Sequence, residues 1–232
     1  MGSRGSLLPL PRGKGSPVTR KIRTYEAEEL VVEYDLKRCI HAEECIHGLP
    51  DVFDAERRPW IDPSKAGAAD LMRTIERCPT GALHYRRTDG KVEQPRASNT
   101  VCIEADGPLY VTGRLRIALP GGETLDETRA ALCRCGHSKD KPFCDNSHVE
   151  AGFADAGTIV ENRLKPSESG ETDALEISPA ANGPMLVRGP VKILCSDGAS
   201  AEGASCAFCR CGGSSNKPFC DGTHNSIGFE AD

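Results

Sequence analysis

Aromatic residues are scarce in this 232-residue sequence, at 5% with a single tryptophan, and the apolar fraction is 38%. That composition argues against one large core and for two or three small domains. Long apolar runs are missing too. The longest stretch suited to burial is about residues 30–36, far short of the roughly 18 to 20 residues of a membrane-spanning helix, so no membrane partner is expected. No basic stripe exists: 29 Lys and Arg are interspersed with 34 Asp and Glu for a formal net charge of -5, which excludes a face that tracks a nucleic-acid backbone. Phosphate loops, nucleophile elbows and nucleotide fingerprints are likewise absent, so the chain is not expected to be an enzyme, except as a redox subunit of one.

Acidic residues are lacking before Glu26, where Arg4, Arg12, Lys14, Arg20, Lys21 and Arg23 lie among Gly, Ser and Pro. Residues 1–24 therefore read as a disordered basic tail. Residues 7–10 are too short for a signal-peptide core, and Pro9, Pro11 and Gly13 oppose the amphipathic helix of an organelle transit peptide. Twelve cysteines in a small secreted chain would suggest disulfides, but there is no secretory signal, and most sit beside His, Gly or Pro at tight spacing. Metal binding in a reducing, cytoplasmic compartment fits that pattern better.

What is present is a repeat. Residues 133–153 (CRCGHSKDKPFCDNSHVEAGF) match residues 209–229 (CRCGGSSNKPFCDGTHNSIGF) without a gap, at an offset of 76, and the same offset aligns GPLYVTG from Gly107 with GPMLVRG from Gly183. The repeated unit is thus a domain. Short β-branched runs at 110–112, 115–119, 186–187 and 191–194, bounded by Gly and Pro, read as strands. Polar, turn-rich residues 165–172 mark the boundary, giving units at 96–168 and 169–232.

Each copy offers three sulfurs and one imidazole: Cys133, Cys135, Cys144 and His148, then Cys209, Cys211, Cys220 and His224. They can converge only if the intervening loop turns sharply, for which Gly136 and Pro142, and Gly212, Gly213 and Pro218, supply the chemistry. The third Cys and the His are four apart, so one helical turn puts both on one face, with Asp145 or Asp221 placed as its N-cap. A Cys3His set also suits structural zinc, although zinc modules usually carry longer Cys-x2-4-Cys knuckles, and soft thiolates equally suit iron-sulfur clusters. Arg134, Lys141, Arg210 and Lys217 repeat as well, as counter-charges to a cluster or as a solvated face. Cys102, Cys195 and Cys206 read as small buried residues; Cys195 and Cys206 lack counterparts, with Leu119 and Ala130 in their places.

The pattern Cys-x-Cys-x2-Ser-x3-Pro-x-Cys-Asp-x-[Ser/Thr]-His resembles the signature of the CDGSH iron-sulfur domain family (mitoNEET-like), through Ser138, Pro142 and Ser147 in one copy and Ser214, Pro218 and Thr223 in the other. The departure is Asn146, where copy two keeps Gly222; Asn tolerates a left-handed backbone better than most residues. The resemblance, over about residues 99–232, implies one [2Fe-2S] cluster per copy on three Cys and one His, and an internal pseudo-dimer that leaves the chain monomeric. Imidazole in place of a thiolate removes negative charge and should raise the reduction potential, and a ligand that titrates near neutrality suggests pH-linked redox behaviour.

At the front, Cys39 and Cys45 are followed at a distance by Cys78-Pro79. A helix is expected over 66–77, with Ala68, Leu71, Met72 and Ile75 on one face, stopped at Pro79; strands are expected at 30–36 and 82–85. With Gly48-Leu49-Pro50, Val52-Phe53, Pro59-Trp60-Ile61 and CPTGAL at 78–83, the region resembles the divergent single-cluster ferredoxins and implies a ferredoxin-like domain over 25–95. Ala42 stands where such a protein places a middle ligand. Three sulfurs then suit a [3Fe-4S] cluster; a [4Fe-4S] cluster with His41, water or another outside ligand is the alternative, and His84 is not expected to bind. The fold class expected is α+β. The function expected is electron transfer with a redox partner protein; the alternatives are a cluster carrier serving an apo acceptor, a redox or pH sensor, and a structural zinc protein.

Overall fold

The computed structural model describes residues 21–166 and 173–231. Most of the expected tail, and residues 167–172 of the expected linker, lie outside that range. The last tail residues do not: the first strand, β1 (Ile22–Glu26), already pairs with β2 (Leu30–Asp35), Tyr25 opposite Val32. β2 is the central strand of a three-stranded antiparallel sheet completed by β3 (Leu83–Arg87). The apolar residues of 30–36 are therefore buried in a sheet centre, and Leu30 and Val32 are fully enclosed.

Two helices complete this front domain, α1 (Glu44–Gly48) and α2 (Ala68–Ile75). Helical spacing puts Leu71 and Ile75 on one face of α2, where they pack with Val32, Phe53, Ile61 and Leu83. The Cys78 amide closes the end of α2 by donating to the Ile75 carbonyl at 3.0 Å, and Pro79 prevents continuation. The expected helix over 66–77 is thus shorter at both ends. Among the described residues no helix is long and apolar enough to cross a membrane.

The rest is strand. β4 (Thr100–Ile103), β5 (Leu109–Ala118) and β6 (Thr124–Leu132) come from the first repeat, and β7 (Leu175–Pro179), β8 (Met185–Leu194) and β9 (Ser200–Phe208) from the second; α3 (Ser147–Glu150) follows β6. The runs 110–112 and 115–119, expected as separate strands, are one strand, as are 186–187 and 191–194. Each carries a bulge at its glycine, between Thr112 and Leu115 and between Arg188 and Val191. Gly113 (φ 132°) and Gly189 (φ 114°) absorb the kink. A Cβ on Gly189 would lie 2.2 Å from the Ala174 carbonyl oxygen, so no other residue fits.

The bulge divides each long strand between two neighbours. The first half of β5 pairs antiparallel with β4 and its second half parallel with β7; β8 pairs antiparallel with β7 and parallel with β4. All six strands form one sheet over a common core to which both repeats contribute, including Val111, Leu115 and Ile117 with Val187, Val191 and Ile193. Asn99 ties the crossing together, donating to the Asp173 and Pro190 carbonyls at 2.9 Å and accepting from the Arg114 amide. The molecule is α+β and strand-rich, as expected.

Candidate metal centres

In both repeats the sharp turn after the last hairpin brings the ligand set together. Cys133 donates its backbone N–H to the Pro142 carbonyl at 2.9 Å, and Cys209 to that of Pro218 at 2.8 Å. Ser138 Oγ donates to the Phe143 carbonyl at 2.6 Å and Ser214 Oγ to that of Phe219 at 2.7 Å, so the signature Ser closes the loop. Lys141–Pro142 and Lys217–Pro218 are cis. The outcome is two close ligand pairs per copy: Cys133 and Cys135 Sγ are 3.7 Å apart, and Cys144 Sγ is 3.3 Å from His148 Nδ1. The second copy repeats both values for Cys209 with Cys211 and Cys220 with His224.

The Asp that follows the third Cys works differently from the N-cap expected. The residue preceding the turn is Asn146 or Gly222, both left-handed (φ 74° and 92°), as the Asn-for-Gly exchange allows. Asp145 instead accepts from the Ser147 amide and reaches back to that of Lys139 at 2.8 Å; Asp221 does the same with Thr223 and Ser215. Its bonds with the Thr223 hydroxyl and these amides hold the Asp221 carboxyl well below the usual range. The freed amides of Asn146 and Gly222 donate to Cys144 and Cys220 Sγ at 3.4 Å, and those of His137 and Gly213 to Cys135 and Cys211 Sγ. These N–H groups favour thiolate over thiol. Against them, burial pushes Cys144 up to about 12. The hydrogen bond between the Cys133 and Cys135 sulfurs favours ionisation of one of the pair at the expense of the other. Without a bound cation, then, the sulfurs cannot all ionise together.

Arg134 and Arg210 are neither free counter-charges nor solvated. Both are fully buried: Arg134 binds the Gly107 and Glu104 carbonyls and Asp155 and lies over Phe153, and Arg210 binds the Gly183, Ala180 and Ala231 carbonyls over Phe229. Lys141 and Lys217 Nζ each donate to a loop carbonyl at 2.6 Å. Cys195 is buried in the common core and Cys206 packs against it, while Cys102 is half-buried on β4.

In the front domain Cys39, Cys45 and Cys78 line one pocket with Tyr34, Trp60 and Thr80. Burial, then the charge of Cys78, pushes the Cys45 thiol up to about 11. His41 is left-handed (φ 58°) and does not line this pocket; it lines the adjoining groove with Tyr110 and His148. His84 is also apart, bonded to Glu93 and Glu127. Among the described residues no group of three or more His, Cys, Asp or Glu side chains closes on a single metal ion.

Comparison with known proteins matches this arrangement. Residues 25–88 match the family described as divergent 4Fe-4S mono-cluster, and residues 106–149 and 182–225 each match the iron-binding zinc finger of CDGSH type. The chain belongs to the tandem CDGSH iron-sulfur proteins. Its front domain, the divergent mono-cluster region, is 36% identical over 64 residues to the uncharacterized protein YjdI of Escherichia coli K12, spanning 28% of this chain and 84% of that protein; YjdI of E. coli O157:H7 matches equally. No solved structure matches significantly.

The signal missed in the tandem CDGSH sequence is the seam between its front domain and first repeat. Arg38 Nη1 meets Glu127 at 2.5 Å and its Nη2 donates to the Arg129 carbonyl at 2.7 Å; Arg129 pairs with Glu93. All four side chains are buried. The repeat held a clue: at the offset of 76, Glu127 and Arg129 correspond to Gly203 and Ser205, so this charge belongs to one copy only.

Proposed function

We propose that the chain is an electron-transfer protein with a [2Fe-2S] cluster in each CDGSH unit and a third cluster held by Cys39, Cys45 and Cys78. The observation that carries the reading is the division of each CDGSH set into two ligand pairs. Two ligands on one tetrahedral metal, with metal–sulfur bonds of about 2.3 Å, are separated by about 3.7 Å, the Cys133–Cys135 and Cys209–Cys211 spacing. Cys144 with His148 provides a second such edge, shortened by the shorter metal–nitrogen bond. Two edges suit two irons; a structural zinc would draw all four ligands to one point. The sulfur-directed amides fit the same group, since hydrogen bonds to sulfur stabilise the reduced, more negative state.

Such a centre takes up and returns one electron. The protein supplies buried and half-buried ligands, imidazole Nδ1 in place of a fourth thiolate, and a shared sheet that holds both sites. The reciprocal pairing of β4 with β8 and β7 with β5 supports an internal pseudo-dimer in a monomeric chain. At the front, three sulfurs on protein ligands alone define a [3Fe-4S] centre, and a [4Fe-4S] centre takes a fourth ligand other than His41, which lines the adjoining groove. The partner is a one-electron redox protein. Cluster donation to an apo acceptor is the second reading, favoured by Cys211 and Cys220, which are only half-buried.

Iron and sulfide quantitation with electron paramagnetic resonance tests this. Oxidised protein should show the [3Fe-4S] signal, and reduced protein two [2Fe-2S] signals. Colourless, zinc-loaded protein would overturn the reading, and intact transfer of [2Fe-2S] clusters to an apo acceptor without electron exchange would replace it by the second.

A further inference from the structure

The two CDGSH units share a fold and a ligand set, but their surroundings differ. The first is covered by the front domain. Ile40, next to the ligand Cys39, is buried against Ala131 and the ligand Cys144, with Tyr110 alongside, and the Arg38 guanidinium lies 4.6 Å from the centre of the Phe143 ring. One groove has Ile40, His41 and Ala42 on one wall and Tyr110 and His148 on the other. Tyr110 packs beside Ile40 and Cys144 and lines that groove, on the side of the first unit that faces the front domain.

On its other side the first unit touches the second through the ligand loops themselves. A Cβ on Gly136 would lie 2.7 Å from the Cys211 carbonyl oxygen, and one on Gly212 would lie 2.5 Å from that of Cys135. The loops meet backbone to backbone, one residue from a ligand on each side.

The second unit is bordered instead by the connecting segment: Lys165 pairs with Ser205, Gly203 lies against Leu164 and Lys165, and Glu161 exchanges hydrogen bonds with Asn216 of the ligand loop. Where the first has Tyr110, Glu127, Arg129 and His137, it has Leu186, Gly203, Ser205 and Gly213. Leu186 is 41% exposed. A Cβ at position 213 would meet the Thr223 and Ile227 side chains at 3.0 Å, and Ile227 is itself 52% exposed. Cys133, Cys135 and Cys144 are all buried, whereas in the second set only Cys209 is buried and Cys211 and Cys220 are half-buried.

Building on the three-cluster reading, we infer that the first CDGSH centre is an enclosed relay between the ferredoxin-like site and the second CDGSH centre, and that the second is the open centre of the pair, where an external redox protein approaches. Each step moves one electron: a reduced centre gives it up, its oxidised neighbour takes it, and no bond forms or breaks. The source or sink is the external one-electron protein.

Two measurements on the full-length protein test this. With a bulky anionic iron chelator, the [2Fe-2S] absorption should decay in two phases, the fast one absent in Cys220→Ser; the rates should differ by about tenfold or more, the scale on which access alters encounter rates. Glu127→Gly with Arg129→Ser, which gives the first unit the residues that the second carries, should merge the phases. A single phase in the parent protein, or two unaltered phases in that variant, overturns the enclosure. In the second measurement, one electron is loaded by a photoreductant. It should equilibrate between the second CDGSH centre and the ferredoxin-like centre at a rate independent of protein concentration, and in Cys144→Ser that equilibration should become concentration-dependent. A concentration-independent rate in Cys144→Ser overturns the relay. Should Cys144→Ser fail to fold, the chelator phases still decide. Absence of iron and sulfide would instead defeat the three-cluster reading, a separate outcome.

Discussion

At the scale of single residues, the strongest constraints sit beside the ligands. Arg134 and Arg210 are fully buried cations whose donors are matched chiefly by backbone carbonyls 27 and 30 residues away. Removing Arg134 takes the side-chain donor from the Gly107 carbonyl and the charged partner from Asp155, which keeps the Gly157 amide. Arg134→Ala should therefore destabilise the protein by about 3 kcal/mol or more, read as a lower midpoint in denaturant unfolding, and Arg134→Lys should recover little because an ammonium cannot span the same fork. The left-handed glycines grade in the same way. Gly222 has open space around its would-be Cβ, so Gly222→Ala should cost only the backbone term of about 1 to 2 kcal/mol. Gly136→Ala must also push a Cβ into the Cys211 carbonyl and should cost distinctly more; equal costs would argue against a rigid contact between the ligand loops. The ligands themselves were legible because their convergence is local, within 16 residues of chain. The arginine partners were not, because backbone carbonyls leave no mark in a sequence.

At the scale of elements, the Gly-bounded runs were recognised as strands but read as broken, because a glycine that ends a strand and one that makes a bulge look alike until the partner strand is known. β6 was harder: Thr124–Leu132 carries Asp126, Glu127 and Arg129 at positions that resemble a solvated edge. Two of those charges are buried in the seam with β3, where His84 Nδ1 is 2.9 Å from Glu93 and Nε2 is 3.0 Å from Glu127. Burial alone would lower the His84 pKa, but Glu127 and Glu93 hold it above the ordinary value. A raised value in the folded state means that the stabilisation from the charged imidazole is fully present below the unfolded value of about 6.5 and fades as pH rises through the folded value. The stability difference between the parent protein and His84→Gln should therefore be larger near pH 6 than near pH 9, measured by denaturant unfolding at each pH. A difference that grows with pH would mean that His84 is buried neutral.

At the scale of the whole molecule, the sheet topology makes the two repeats interdependent. A stand-alone first unit keeps β4, β5 and β6 but loses β7, exposing the second half of β5 along an unpaired edge that carries the fully buried Leu115 and Ile117 on either side of Arg116. Its own β4 likewise loses β8. Because the lost partners are the repeat equivalents of strands it still has, a second copy of the same fragment can supply both: β4 of one copy can take the place of β7 beside β5 of the other, in the same parallel register. The alternative, a folded monomer, would leave fully buried Leu115 and Ile117 in water at about 1.5 to 3 kcal/mol each, a large fraction of the stability of a small domain. A fragment of residues 96–166 should therefore be either a homodimer, with twice the fragment mass in sedimentation equilibrium, or unfolded, whereas the intact chain should sediment at its 24.9 kDa monomer mass and lose both CDGSH units in a single unfolding transition. A folded, monomeric fragment would show that each unit carries its own core and that the reciprocal pairing contributes little.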